Sequence, residues 1–202
     1  MNWIIVLAYI VGALTSGIFT LINTWYQNKL NKRGKKKTTK YLYSVAQYNY
    51  HLNKTLFNIR NQLCASDIFF ARFHNGGQFI NGLKIDKFSI TNESPKMDCE
   101  PVQHDFENVM FSRYSRTIST LLYSNRFEVP NTQGEDGLPR DIAQKGYRSM
   151  YVFLIKGLDD IPAGFVAVLY RNQTDLTEDQ RQIVESHHNT ILNYVNHTKP
   201  NI

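Results

Sequence analysis

The chain of 202 residues carries only two cysteines, Cys64 and Cys99, and no paired CxxC. A multi-thiolate metal site is thereby excluded, and at most one disulfide can form. Nucleophile elbow, phosphate loop and HExxH are also missing; Gly76-Gly77 is a lone glycine pair. No catalytic residue, cofactor or metal is expected. Two further absences are positional: no charged side chain falls between Trp3 and Ile22, and no Asp or Glu precedes Asp67.

The first positional absence leaves WIIVLAYIVGALTSGIFTLI, which as a helix spans roughly 30 Å, the thickness of a bilayer's hydrocarbon core. Only Met1 and Asn2 precede it and no A-x-A site follows, which disfavours a secretory leader. Trp3 at one end and Trp25-Tyr26 at the other fit the two aromatic belts of a membrane. The sequence thus predicts a single-pass anchor over residues 1–28. Ala8, Gly12 and Ser16 fall four apart, a small-xxx-small face through which two such helices could associate.

The second positional absence sets the orientation. Lys29, Lys32, Arg33, Lys35, Lys36, Lys37 and Lys40 crowd a polar linker over residues 29–40. Under the positive-inside rule they stay cytoplasmic, which predicts an inner (plasma) membrane protein with its soluble domain in the cytoplasm. Residues 1–66 carry nine Lys/Arg and no acid, a balance of +9; residues 67–202 carry fourteen basic and seventeen acidic residues, a balance of −3. The positive charge therefore lies beside the membrane, where each cation gains about 1 kcal/mol from anionic lipid. Lipid headgroups, not nucleic acid, are the expected counter-charge.

From Tyr41 the pattern changes. Tyr41, Val45, Tyr48, Leu52, Leu56, Ile59 and Leu63 recur at helical spacing close to a heptad seam, predicting an amphipathic stalk over 41–66 that packs partly on its own domain and partly on a partner copy. Residues 67–202 suit one domain. Strands are expected at Ile68–Phe73, Lys84–Thr91, Arg126–Val129, Ser149–Lys156 and Ala163–Arg171, with a hairpin joining the last two through Gly157-Leu158-Asp159-Asp160. Val102, Phe106, Val109, Met110, Tyr114, Thr117 and Leu121 predict one face of a helix, and Pro139–Lys145 a short one. Thr177-Glu178-Asp179-Gln180 is a capping box that opens a last helix burying Ile183, Val184, His187, Ile191 and Val195. The order describes an α+β domain, an antiparallel sheet with helices grouped against it.

This order, from a long entering helix to GFVAVLYRNQTDLTEDQRQIV at the end, resembles the GAF/PAS group of sensor domains over roughly residues 40–197. The resemblance implies a fold that binds a small molecule or partner protein, dimerises, or relays a signal through its terminal helices, and is seldom an enzyme. A narrower similarity is to the holins of T-even bacteriophages, which permeabilise the inner membrane and time host lysis. It rests on Tyr147 to Val195, with Leu158-Asp159-Asp160 and Leu169-Tyr170-Arg171-Asn172, and on Tyr123-Ser124-Asn125. Those holins place their globular domain in the periplasm, opposite to the orientation set here. The abundance of Asn, Lys, Ile, Tyr and Phe fits an AT-rich coding genome, such as that of a phage or some bacteria.

His74-Asn75-Gly76-Gly77 is the most site-like segment, offering imidazole, amide and exposed backbone N–H groups where GAF and PAS domains open their pocket. A plain turn is the competing reading. Arg72, Lys84 and Glu93 are the side chains expected to reach a pocket there. Cys99 and His104 are too few for a metal site and lack an orienting third group for a nucleophile. His187 shares the apolar face of its helix and reads as a packed histidine.

Overall fold

Strands form where β-branched and aromatic residues run together, and the two densest runs, SMYVFLIK and PAGFVAVLY, pair with each other inside the sheet. The structure, a computed structural model, describes residues 23–27, 29, 39, 41–74, 86–157 and 160–197. Two compact units divide the chain, residues 1–46 and 47–202. In the first, residues 23–27 and 41–46 are helical, and the Lys29 ammonium lies 4.7 Å from the Trp25 ring centroid. The expected membrane helix, with Ala8, Gly12 and Ser16, lies outside the described residues, as do Lys32, Arg33, Lys35, Lys36, Lys37 and Lys40. Among the described residues no helix is long and apolar enough to cross a membrane.

The second unit opens with helical residues 47–62, here α1, which buries Leu52, Leu56 and Ile59. It stops where Cys64 turns left-handed (φ 53°) and the Ala65 N–H reaches back to the Arg60 carbonyl at 3.0 Å. Six strands follow: β1 Asp67–His74, β2 Lys87–Glu93, β3 Val109–Met110, β4 Arg126–Val129, β5 Ser149–Lys156 and β6 Pro162–Tyr170. They form one antiparallel sheet in the order β3-β2-β1-β6-β5-β4. Helices α2 Ser115–Ser124 and α3 Leu138–Gln144 interrupt the strands, and α4 Glu178–Ser186 and α5 His188–His197 follow them.

Both faces of the sheet are covered, which is why its central strands are nearly continuous apolar runs instead of alternating ones. Phe69, Ala71, Val152, Leu154, Phe165 and Ala167 point to one face, under α2, α3 and the loops. Ile68, Phe70, Tyr151, Phe153, Val166 and Val168 point to the other, under α1, α4 and α5. Each such side chain, fully withdrawn from water, contributes about 1.5–3 kcal/mol.

Two expected helices are corrected. Residues Val102–Leu121 are not one helix. A 3-10 turn at Gln103–Phe106, β3, a second 3-10 turn at Phe111–Tyr114 and α2 divide the stretch. The chain reverses because Glu107 is extended and Asn108 is left-handed (φ 54°), with the Asn108 N–H on Ser89 Oγ at 2.8 Å. Val109 and Met110 are thereby delivered to Phe88 and Lys87 as an edge strand. The apolar spacing tracked burial, since all seven residues but Met110 are buried. It did not track the element.

The last helix is two. Its capping box is present: Thr177 Oγ1 accepts from Gln180 N and Gln180 Oε1 from Thr177 N. At His187 the helix breaks. The His187 ring and the Ser186 hydroxyl both turn back onto the Ile183 carbonyl, each at 2.8 Å, and compete with the helical ladder.

Arg181 fastens α4 to the edge strand β4. Its guanidinium forks onto both oxygens of Glu128 at 2.8 Å, and Glu178 stands 3.4 Å away on the same helix. Such a two-point bond to a charged group contributes about 1–2 kcal/mol. Arg181→Ala should lower the urea midpoint accordingly, and Arg181→Lys should recover less than half, because an ammonium cannot fork. Equal stability of all three proteins would contradict this role.

Candidate functional site

Along β1, alternation sends Arg72 and His74 to the face of Ile68 and Phe70, beyond the part of the sheet that α1 covers. His74 Nε2 lies 2.9 Å from Ser89 Oγ, which is held in place by the Asn108 N–H. Arg72 stands opposite Ser89 in the register and His74 opposite Lys87. The structure therefore groups Arg72 with His74 at the end of β1. Asn75, Gly76, Gly77 and Lys84 lie outside the described residues.

Glu93 is not part of that group. It stands opposite Phe69, five positions back along β1, or about 17 Å at strand rise, and on the opposite face. There its two carboxylate oxygens accept the backbone N–H groups of Val102 at 2.7 Å and Gln103 at 2.9 Å. A helix-based picture of residues 102–121 hid this, because it left those N–H groups inside a regular ladder.

Glu93 belongs instead to a buried cluster with Asp67, Tyr147 and Cys99. Asp67 is fully buried at the start of β1, on the face of Phe69 and Ala71. Its Oδ1 accepts the Ile68 N–H at 2.7 Å and its Oδ2 accepts the Tyr147 hydroxyl at 3.1 Å, while a hydrogen bond links its carboxyl to that of Glu93. Burial, followed by the Glu93 bond and charge, pushes the Asp67 carboxyl up to about 8; the Tyr147 and Ile68 donors pull it partly back. The Tyr147 hydroxyl is driven above the usual tyrosine range by burial and by Asp67. Burial also raises the Cys99 thiol, against the opposing charge of Arg171. The cluster can hold and release a proton but is closed to a substrate. One signal for it stood in the sequence: Asp67, the first acid of the chain, opens an apolar strand on the same parity as Phe69 and Phe73.

The rest of this face is filled by interlocked rings. Phe73 and Phe111 stand 4.9 Å apart, Phe88 and Phe165 5.3 Å, and Phe88 and Tyr114 6.0 Å. Tyr114 donates to Asp141 at 2.7 Å, and Arg113 binds the same oxygen at 2.8 Å. On the opposite face, a cleft of about 290 Å³ is lined by residues including Phe153, Ile155, Val184 and His188. His188, not His187, turns inward, its Nε2 lying 3.1 Å from the Lys156 carbonyl oxygen.

Cys99 is buried whereas His104 is exposed beside Glu107, so the fold does not make them a pair. Both cysteines are free thiols. Among the described residues, no three of His, Cys, Asp and Glu are placed to hold a metal ion.

No family model and no curated protein sequence matches the chain. Solved structures do match. A far-red cyanobacteriochrome photoreceptor superposes with a TM-score of 0.59 at 13% identity, over 84% of this chain and 97% of that one. The GAF domain region of a Geobacter sulfurreducens protein, described as a membrane protein, gives 0.59 at 12% identity, over 77% and 97%. The chain has a GAF fold. The phycocyanobilin-bound GAF domain of a cyanobacterial phytochrome agrees, with 0.57 at 12% identity over 79% and 92%. At these identities the likeness is one of architecture. It narrows the GAF/PAS expectation to GAF, and it lends no support to the resemblance to holins. Within this GAF sheet the Asp67 cluster occupies the face away from α1, α4 and α5.

Proposed function

We propose that this protein is a membrane-anchored regulatory GAF-like module, encoded by a phage or bacterium, that catalyses no reaction of its own. The observation that carries the reading is the GAF sheet itself, a two-faced antiparallel scaffold entered by α1 and closed by α4 and α5. The uncharged run Trp3–Ile22 supplies the anchor and the cations from Lys29 to Lys40 the contact with anionic lipid, with the GAF domain on the cytoplasmic side. The reactive groups gathered on the sheet, Asp67, Tyr147 and Cys99, are sealed from solvent, which suits a structural or sensing role better than turnover. Copies associate through the membrane helix and stalk. A small ligand or partner protein biases their arrangement through unequal affinity for two states. The bilin-bound GAF neighbour shows that this architecture can enclose a small molecule. Arg72 and His74, with Asn75, Gly76, Gly77 and Lys84, are the residues assigned to that contact.

The test is fractionation of the full-length chain together with C-terminal reporter fusions. The protein should pellet with membranes and resist alkaline extraction, and a fluorescent fusion should be active while an alkaline phosphatase fusion is silent. A soluble chain would overturn the anchor. An exported domain with abrupt collapse of membrane potential would overturn the regulatory reading in favour of a holin.

A further inference from the structure

We propose that Asp67 and Glu93 form a proton-operated clasp on the strap of residues 94–103: a proton held between the two carboxyls keeps the strap closed over Cys99, and its loss drives them apart and opens the strap. This inference is independent of the membrane reading and rests on how the strap is tied.

The strap leaves β2 at Glu93 and comes back to it. Ser94 N–H donates to the Ile68 carbonyl at 2.8 Å, Lys96 N–H to Ser66 at 2.9 Å and Cys99 N–H to Lys96 at 3.0 Å. Val102 and Gln103 then close the ring on the two oxygens of Glu93. One side chain thus ties both ends of the loop, and that side chain also bonds Asp67.

The titratable groups facing Asp67 are all acids or neutral donors: Glu93 from β2, Cys99 from the strap and Tyr147 from the segment before β5. The cations of the region are engaged at the rim. Arg60 donates to the Ser94 and Pro95 carbonyls, Lys96 to the Cys64 carbonyl, and Arg171 binds Asp98, with the Asp98 carboxylate 3.3 Å from its Nη1. Lys145 pairs with Asp105, beyond the strap. With a proton between them, the two carboxyls form a neutral–anionic hydrogen bond. Without it, two like charges face each other out of water.

Which group yields follows from the backbone. Asp67 is locked in a central strand opposite Leu169 of β6, whereas Glu93 ends its strand and is only half-buried. Relief therefore moves Glu93 toward water, and the Val102–Gln103 end of the strap goes with it. Asp67 is protonated below its raised value of about 8, so the clasp is closed at neutral pH and opens in mildly alkaline solution.

The test uses the full-length chain in mild detergent with Cys64→Ser, which leaves Cys99 as its single thiol. Alkylation of Cys99 is timed with and without Asp67→Asn, and the ratio of the two rates is followed against pH. Near pH 6 the ratio should stay within about twofold of unity. Between pH 7 and 9 the parent should gain about tenfold on the variant, as the ionised fraction of Asp67 rises. Removing the Asp67 charge alone would favour the thiolate in the variant, so a faster parent cannot arise that way. A flat ratio, or a faster variant, overturns the clasp.

Hydrogen exchange of the parent alone provides a second readout if Asp67→Asn fails to fold. After correction for intrinsic rates, protection of residues 94–103 should drop above pH 8 while that of β5 and β6 holds. Uniform change across the domain, or none, also overturns the clasp.

Discussion

Gly164→Val should leave little folded protein, and Gly164→Ala should cost at least about 3 kcal/mol in urea denaturation. Gly164 lies in β6 opposite Arg72 of β1 and Ile155 of β5, inside the sheet. A Cβ placed there would fall within the van der Waals radius of the Ala71 carbonyl oxygen and 3.0 Å from two ring atoms of Phe70. The ring could swing aside. The carbonyl cannot, because it belongs to the backbone of β1, which is paired on both edges. Any side chain at this position must therefore shift the β1–β6 ladder itself. The Phe70 ring, in turn, covers the surface that the missing side chain leaves bare. A loss below about 1 kcal/mol for Gly164→Ala would show that the ladder adapts, and would refute the close approach.

Glu93→Ala should be nearly as damaging, about 3 kcal/mol at pH 6. It strips the acceptors from the Val102 and Gln103 N–H groups and leaves Asp67 without its carboxyl partner. The sign of the pH dependence follows from Asp67. Its carboxyl is raised from 3.8 to about 8 on folding, so its stabilising contribution is complete below about pH 4 and is lost as pH climbs through 8. In the variant the Glu93 charge and bond that add to this shift are gone, and the loss is shallower. The gap between parent and variant midpoints should therefore narrow from pH 6 to pH 9. Parallel curves would mean that the two carboxyls do not share a proton.

Legibility followed the range of the interactions. β5, its hairpin partner β6, the short α3 and the Thr177 capping box all depend on residues adjacent in sequence, and the expected positions agree with the structure to within a residue or so. The Val102–Leu121 stretch was misread because 3-10 turns and a folded-back edge strand can bury residues three and four apart just as a helix does. The break at His187 was invisible for a similar reason: Val184 and Ile191 keep their spacing across it. The acid cluster lay further out of reach. Tyr147 is 80 residues from Asp67, and only the register of β1 with β2 brings Glu93 to the same end of the sheet. Glu93 was assigned to the His74 end because sequence proximity to Thr91 and Lys84 said nothing about direction along an antiparallel strand. The GAF architecture itself was legible from the order of elements, while the chemistry of its sealed face was not.

Both margins of the sheet are blunt. β3 offers two residues, and β4 offers four before Pro130 ends it. Where β5 runs on past β4, the His188 imidazole occupies the Lys156 main-chain carbonyl. Few bare amide and carbonyl groups are left for a stranger's backbone to copy. Crowded copies of this domain are thus guarded against stacking into fibrils, and any assembly they build has to be made with side chains.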